Sequence, residues 1–216
     1  MDAEEKAARQ SVIDACLKMN ADGINQGTSG NISVRWQGGF LITPSGAAYE
    51  SLRPSHIVFI DRYGLVEGNK RPSTEWRFHK DIYRARNDIN AVVHTHSTHA
   101  TAIAMTGEGI PAVHYMIAAA GGPTIRCAEY ATFGTEELSI NALKALEGRD
   151  ACLLANHGVI ACGPVLKRAL WLAGEIESLA AQYILAKSFG EPVVLSDEEI
   201  AVNVEKFKNY GPKRDR

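Results

Sequence analysis

The sequence predicts an α/β fold: a single three-layer domain in which helices cover a central mixed, largely antiparallel sheet. Strand-like and helix-like segments are interspersed along the chain, which indicates one unit built from both. The first two strand-like segments form a hairpin, so the sheet is not purely parallel. The chain has 216 residues without a linker or repeat, and we expect one domain spanning 1–216.

The first third of the chain combines one helix with three strands. Apolar residues recur at helical spacing within 7–19, which predicts an amphipathic helix. Two strand-like runs flank the turn sequence Gln-Gly-Gly at 37–39, and this arrangement is typical of a β-hairpin. The strands expected here cover 32–35, 40–43 and 56–61.

The rest of the chain alternates between helices and strands. Pro72, Ser73 and Thr74 form a helix-start sequence, because proline and hydroxyl residues favour the first turn. A β-branched strand follows at 91–96, and Ser97 can cap a short helix after it. Further strands are expected at 124–130, 151–155 and 159–161. Further helices are expected at 72–86, 135–146, 165–188 and from Ser196 to about 209.

The charge balance excludes a general attraction for nucleic acid or an anionic membrane. Lys plus Arg total 23 against 25 for Asp plus Glu, a net charge of −2. No apolar run approaches the ~20 residues of a membrane span, and the first ten residues lack the apolar core of a signal peptide. The four cysteines form no CxxC pair, which indicates buried free thiols. We therefore expect a cytoplasmic protein without nucleic-acid or membrane partners.

Three of the seven histidines are candidate metal ligands. His94 and His96 alternate along one strand, so both side chains project from the same face. His157 occupies the tight turn between two apolar strands, at a sheet end that His94 and His96 can also reach. Three imidazoles with an open fourth position suit a catalytic zinc site. The spacing alone equally fits a half-exposed strand and a turn histidine without a metal.

A carboxylate and three polar turns accompany these histidines. Glu75 lies in the first turn of a predicted helix, where a carboxylate either caps the helix or acts in a site. His79 lies one helical turn further on, either beside that site or on the helix face. Each turn offers hydroxyls and backbone N–H groups to a phosphate, although each also serves as an ordinary turn. The turn sequences are GTSGN (27–31), TPSG (43–46) and PST (72–74), none of which matches a nucleotide-binding motif.

Together these residues predict a metal and a base that act on a small phosphorylated substrate. Seven segments resemble the class II aldolase/adducin family, and the likeness runs almost end to end. They are GTSGNISVR (27–35), LITPSG (41–46), PSTEWRFHKDIYRAR (72–86), AVVHTHSTHATA (91–102), VHYMIAAAGG (113–122), YATFGT (130–135) and LLANHGVIACG (153–163).

The resemblance implies a metal-dependent aldolase with a mixed sheet between helices. Such an enzyme reversibly cleaves a ketose 1-phosphate, of the L-fuculose 1-phosphate type, to dihydroxyacetone phosphate and an aldehyde of the lactaldehyde type. His94, His96 and His157 match the family's zinc ligands, with one Zn²⁺ per subunit. Glu75 matches a carboxylate that moves protons and can also occupy the metal.

The resemblance assigns further roles around this centre. Tyr115 matches a tyrosine that donates a proton on the aldehyde side from a neighbouring subunit, and Tyr210 matches a C-terminal tyrosine that closes the site. Family members of this type form homotetramers with active sites at subunit interfaces. Asn156 departs from the family pattern, which leaves the preferred aldehyde open. The phosphate-binding positions are Thr28, Asn31, Ser45, Gly46, Ser73 and Thr74.

Other functions use parts of the same pattern. A salvage aldolase for 5-deoxyribulose 1-phosphate or 5-methylthioribulose 1-phosphate needs the same catalytic residues. A sugar-phosphate 4-epimerase of this fold uses the same metal but keeps the aldehyde for re-addition on its other face. A non-catalytic adducin-like module needs neither the three histidines nor Glu75, and their presence favours an enzyme.

Overall fold

The computed structural model describes residues 1–208 and contains a seven-stranded sheet. The strands are β1 (Asn31–Trp36), β2 (Gly39–Ile42), β3 (Val58–Asp61), β4 (Ala91–Thr95), β5 (Arg126–Ala128), β6 (Ala151–Leu154) and β7 (Gly158–Gly163). The α-helices are α1 (Ala3–Ala21), α2 (Trp76–Ala85), α3 (Thr98–Ala104), α4 (Glu136–Ala145), α5 (Leu166–Phe189) and α6 (Asp197–Lys208). Short 3-10 segments cover Tyr49–Ser51, Pro54–His56 and Tyr115–Ala120.

The sheet is mixed, with strand order β3-β2-β1-β4-β7-β6-β5. Neighbouring strands run antiparallel, except that β5 and β6 are parallel. The central strand β4 places His94 opposite Asn31 of β1 and opposite Ile160 of β7. The predicted α/β fold with a largely antiparallel mixed sheet is confirmed.

Helices cover both faces of the sheet. On one face α1, α3 and α5 form a core that includes Val93 and Ile176. On the other face α2 and α4 bury Phe78 and Leu138 in a core that includes Val92. Successive residues of β4 alternate between these two cores, as the pleat of a strand requires. The three predicted layers are therefore present, and the even-numbered positions of β4 face α2.

Two strands are shorter than the sequence predicts by two residues or more, for local reasons. The predicted strand 56–61 begins at Val58, because the His56 N–H donates to the Arg53 carbonyl in a 3-10 turn. The predicted strand 124–130 shrinks to β5, because Ile125 pairs with Ile110 instead. Neither change affects the strands around β4.

Helix α2 begins later than predicted, and this moves Glu75 out of the first helical turn. The Ser73 N–H donates to the Thr43 carbonyl at 2.9 Å, and the Ser45 N–H donates to the Arg71 carbonyl at 3.1 Å. The segment before α2 is therefore paired with the turn at 43–46 rather than wound into a helix. Glu75 is the last residue before the helix, not a member of its first turn.

No helix within residues 1–208 is long and apolar enough to cross a membrane. All four cysteines are free thiols; Cys16, Cys152 and Cys162 are buried as predicted, whereas Cys127 is only partly buried. The predicted domain bounds of 1–216 and the predicted helix end near 209 extend past the described residues, so these two bounds stay predictions.

Candidate active site

His94 of β4 and His96, the residue just after this strand, lie together at the end of the central strand. His94 is fully buried, and its Nδ1 lies 2.9 Å from the Val159 carbonyl oxygen. A carbonyl only accepts hydrogen bonds, so Nδ1 carries a proton, and in the neutral imidazole Nε2 of His94 is the nitrogen that can bind a metal. That Nε2 lies 3.0 Å from Nε2 of His96, which projects from the same face.

A tight turn between β6 and β7 brings His157 to the same point. Asn156 adopts a left-handed φ of 54°, which asparagine tolerates better than most residues. The His157 N–H closes the turn by donating to the Leu154 carbonyl at 3.0 Å. The His157 ring centroid then lies 4.9 Å from that of His94 and 5.0 Å from that of His96.

Gly158 makes this close approach of three rings possible. A Cβ atom at this position would overlap the Thr95 carbonyl oxygen and would lie 2.9 Å from Cδ2 of His96. A side chain here would therefore displace either β7 from β4 or the imidazoles from one another. The close packing around this position therefore explains why a glycine follows Asn156 and His157.

Glu75 completes a cluster of four side chains. It is buried, and its backbone N–H donates to Ser73 Oγ at 3.3 Å. Its Oε2 lies 3.1 Å from Nε2 of His94, and its Oε1 lies 3.1 Å from Nε2 of His157. One ligand atom from each of Glu75, His94, His96 and His157 lies within 4.8 Å of the others. Three imidazole nitrogens and a carboxylate oxygen form a candidate metal site.

The charge states within the cluster suit a divalent cation. Burial opposes ionisation of the Glu75 carboxyl, but the adjacent His94 and His157 outweigh burial and hold its pKa well below the ordinary value. Burial lowers the pKa of His96 to about 4, so that this imidazole is neutral at pH 7. Within the described residues, Glu75 Oε1 is buried without a hydrogen-bond partner. An ionised carboxylate with an unsatisfied oxygen beside the neutral His96 imidazole offers two groups in the state that binds metals.

Behind Glu75, buried polar side chains link β1 to α2. Asn31 Nδ2 donates to Glu75 Oε2 at 2.9 Å, and Asn31 Oδ1 lies 2.5 Å from His79 Nε2. His79 Nδ1 lies 2.7 Å from Ser33 Oγ, which lies 2.8 Å from the Tyr83 hydroxyl. We call these five residues the buried polar row. It reaches from the cluster into the core between β1 and α2.

Sequence reasoning left His79 open and missed Ser33 and Tyr83. Residue spacing is the signal that identifies them. Asn31 and Ser33 are two apart and share a strand face, while His79 and Tyr83 are four apart and share a helix face.

A cavity of about 380 Å³ gives access to the cluster. Glu75, His96 and His157 line it at the end formed by the cluster, and the exposed aromatic residues Tyr130 and Phe133 line it elsewhere. Thr28 and Thr74, two of the predicted phosphate-binding residues, also line it and are exposed. Among the described residues that line this cavity there is no lysine or arginine.

The other four predicted phosphate residues do not line this cavity. Ser45 and Gly46 are exposed in a turn whose residue Pro44 forms a backbone bridge with Pro72, just before α2. Asn31 and Ser73 are buried, and the side chains of both already contact Glu75.

The two predicted catalytic tyrosines are not brought to Glu75 within one chain. Tyr115 is 50% exposed, and its ring stacks on Phe207 with centroids 6.4 Å apart. It lines a separate cavity of about 610 Å³ formed with α5 and α6, which shares no described residue with the cavity at Glu75. Tyr210 lies outside the described residues.

The fold and the cluster together are typical of one class of protein, and comparison with known families identifies that class. Residues 10–184 match the family described as Class II Aldolase and Adducin N-terminal domain. The chain belongs to this family, as the sequence motifs predicted.

Individual relatives narrow this class. The chain is 58% identical over 207 residues to the L-fuculose phosphate aldolase of Escherichia coli (strain K12), covering 95% of this chain and 96% of that protein. It is 53% identical over 205 residues to a 5-methylthioribulose-1-phosphate/5-deoxyribulose-1-phosphate aldolase of Rhodospirillum rubrum, covering 95% and 93%. A solved structure of an L-fuculose 1-phosphate aldolase matches with a TM-score of 0.92 at 45% identity, covering 96% of this chain and 98% of that chain.

Proposed function

We propose that this protein is a metal-dependent aldolase that reversibly cleaves L-fuculose 1-phosphate into dihydroxyacetone phosphate and lactaldehyde. The observation that carries the proposal is the cluster of Glu75, His94, His96 and His157 at the end of an accessible cavity. The 58% identity to an L-fuculose phosphate aldolase over nearly the whole chain supports this substrate.

Zn²⁺ is the metal we propose, one per subunit, held by the imidazoles of His94, His96 and His157. The hydrogen bond from His94 Nδ1 to Val159 supports this assignment, because it directs the Nε2 lone pair of His94 into the cluster. When bound, the ion supplies a Lewis acid that stabilises negative charge on the substrate oxygens as the C3–C4 bond breaks. Cobalt, manganese and iron(II) suit the same ligands.

Glu75 is the proposed acid–base group for the dihydroxyacetone phosphate half. In the synthesis direction the ionised carboxylate removes a proton from C3 of that half, and in the cleavage direction the carboxyl group, once it has taken up a proton, delivers it to C3. Its Oε1 is the better placed oxygen, since Asn31 already occupies Oε2 and no described group donates a hydrogen bond to Oε1. Glu75 also lines the cavity, so the substrate can reach this carboxylate.

The phosphate is proposed to bind at the three turns through uncharged donors. Thr28 and Thr74 face the cavity, while Ser45 and Gly46 lie in the turn that pairs with the segment before α2. Hydroxyls and backbone N–H groups bind anions without a lysine or arginine, which suits a cavity lining without such residues. Asn31 and Ser73 stay predicted phosphate residues, and we expect them to shape this site from beneath Glu75.

Tyr115 is proposed to donate the proton on the aldehyde side of a neighbouring subunit's site. Its exposure and its separate cavity support this, because a residue that acted within its own chain should line the cavity at Glu75. We therefore propose a homotetramer with active sites at subunit interfaces, closed in part by Tyr210. A cytoplasmic location is proposed as well, and the free cysteines support a reducing compartment.

A salvage aldolase for 5-deoxyribulose 1-phosphate or 5-methylthioribulose 1-phosphate is the second candidate. The observation that favours it is the 53% identity to the Rhodospirillum rubrum aldolase over 95% of the chain. Both candidates need the same metal and the same Glu75, so the choice between them depends on the aldehyde half of the substrate.

A cleavage-rate panel tests the proposal and separates the two candidates. The zinc-loaded protein is given the 1-phosphates of L-fuculose, ribulose, 5-deoxyribulose and 5-methylthioribulose, and released dihydroxyacetone phosphate is measured. We expect the highest kcat/KM with L-fuculose 1-phosphate. A higher value with either salvage substrate selects the second candidate, and no release from any of the four contradicts both.

A further inference from the structure

The buried polar row places five side chains in one line: Glu75, Asn31, His79, Ser33 and Tyr83. We propose that His79 is a positioning residue for Glu75. Acting through Asn31, it holds Oε2 of the carboxylate and leaves Oε1 as the oxygen that exchanges the proton with substrate. This inference deepens the proposed function and rests on it, since it concerns the acid–base role of Glu75.

Only one direction of donation satisfies every member of the row. An ionised Glu75 only accepts, so Asn31 turns its Nδ2 to Oε2 and its Oδ1 to His79. His79 Nε2 must then donate, and a neutral imidazole that donates from Nε2 accepts at Nδ1. The Ser33 hydroxyl donates its hydrogen bond to that Nδ1, so the Tyr83 hydroxyl must donate to Ser33 Oγ.

Burial keeps this arrangement fixed. His79 and Ser33 are fully buried, and Asn31 and Tyr83 are at most 5% exposed. Burial also lowers the pKa of His79 to about 3, so its ring is neutral, as the direction of donation requires. The ring stacks on Phe78 with centroids 4.6 Å apart. A buried amide or imidazole that lost its partner would be costly, so the row resists rearrangement.

The row distinguishes the two oxygens of the Glu75 carboxylate. Oε2 receives the Asn31 N–H and faces His94 Nε2, while Oε1 faces His157 Nε2 and has no hydrogen-bond partner among the described residues. A glutamate side chain has three rotatable bonds and does not hold one oxygen in place by itself. Without the His79 donor, the Asn31 amide can rotate and release Oε2.

Two substitutions of similar size separate positioning from simple core packing. His79→Gln keeps a side-chain N–H for Asn31 Oδ1, whereas His79→Leu fills the space without a donor. We expect His79→Leu to lower kcat about 10- to 100-fold, with KM and metal content unchanged. Exchange of the C3 proton of dihydroxyacetone phosphate with deuterated water should slow in parallel, and His79→Gln should recover most of both rates.

Equal kcat values for the two variants would overturn the inference, whether both matched the wild type or both were impaired. A decrease in the kcat of His79→Leu in proportion to a loss of bound metal would also overturn the inference. Thermal unfolding of both variants serves as the control. If His79 only packed in the core, the substitutions would change Tm, but kcat would not differ between His79→Gln and His79→Leu.

A second measurement decides the direction of donation independently of catalysis. The ¹⁵N resonances of His79 in the zinc-loaded protein can be assigned by their loss in His79→Gln. We expect the neutral tautomer with the proton on Nε2; a proton on Nδ1, or an imidazolium ring, would overturn the inference. A wild-type protein that releases no dihydroxyacetone phosphate contradicts the proposed function instead. The NMR result still tests the direction of hydrogen bonding in the buried polar row.

Discussion

The Glu75 cluster and the Tyr115 region differ in how completely one chain builds them. Glu75 and His94 are buried, and side chains from β1, β4, α2 and the turn between β6 and β7 surround them. Tyr115 is half exposed, and its ring centroid lies 4.8 Å from that of His114 and 6.4 Å from that of Phe207 in α6. A single chain supplies all four side chains of the first region, whereas Tyr115, the proposed proton donor, is half exposed.

This difference separates the two proton transfers of one proposed reaction. The transfer at C3 depends on hydrogen bonds inside the fold, so substitutions there should act through metal affinity and kcat. The transfer at the aldehyde depends on how subunits meet, so substitutions there should act through assembly or through a neighbour's site. A substitution in one region therefore leaves the other region as its control.

Removal of the metal should have the largest effect. Dialysis of the protein against a strong chelator is expected to abolish cleavage, and added Zn²⁺ should restore it, because three imidazoles and a carboxylate converge on one point. The proposed tetramer should persist by analytical ultracentrifugation, since the Tyr115 region contains none of the four candidate ligands. Full activity after thorough chelation, or a covalent adduct on borohydride treatment with substrate, would contradict the metal site.

Glu75→Gln should have the next largest effect. The amide is nearly isosteric but cannot hold the proton, so we expect kcat to fall by about 10²- to 10⁴-fold. Metal content, measured by atomic absorption, should stay near one ion per chain, because the three imidazoles remain. Normal turnover by this variant would remove Glu75 from the mechanism.

Gly158→Ala should weaken the metal site without touching a ligand. The added Cβ would lie 2.9 Å from His96 Cδ2 and would overlap the Thr95 carbonyl oxygen. We expect metal affinity to fall about 10- to 100-fold, measured by competition with a chromophoric chelator. Gly174→Ala is the matched control, since a Cβ there meets nothing within 4 Å in the described structure. Equal affinity in the two variants would show that the close approach at Gly158 has no role.

Acid should have the smallest of these effects, on stability rather than turnover. Burial lowers the pKa of His79 to about 3, below that of a histidine in the unfolded chain. The unfolded state therefore binds the additional proton between those two pKa values, and stability falls as pH falls through that window, by about 1.4 kcal/mol per pH unit for one group. Urea unfolding at pH 7 and pH 5 should show that the free energy of unfolding decreases less in His79→Gln than in the wild type.

Local patterns in the sequence predicted most of the fold and the metal-binding candidates. The alternation His94-Thr95-His96 identifies a strand face, and a histidine in a turn between apolar strands predicts a position at the sheet end. Both arguments need only neighbours in the chain. They correctly placed His157 beside β4, although the two segments are far apart in sequence.

The sequence reasoning failed where pairing between distant segments decides the geometry. Glu75 was predicted inside a helix, but pairing of the Ser73 backbone with Thr43 delays the start of α2. The link from Asn31 to His79 joins a strand and a helix across 48 positions, and no local periodicity reports it. Such contacts depend on which strand lies beneath which helix, which becomes known only with the sheet order.

Mixing two variants that we expect to be impaired tests the central claim that one active site is shared between subunits. Glu75→Gln and Tyr115→Phe are unfolded together, refolded as mixed tetramers, and assayed for cleavage of L-fuculose 1-phosphate. If Tyr115 acts on a neighbour's site, random mixing in equal amounts should restore about a quarter of wild-type activity, because that fraction of interfaces unites intact Glu75 and Tyr115. Activity no higher than the sum of the separate variants would contradict the shared site.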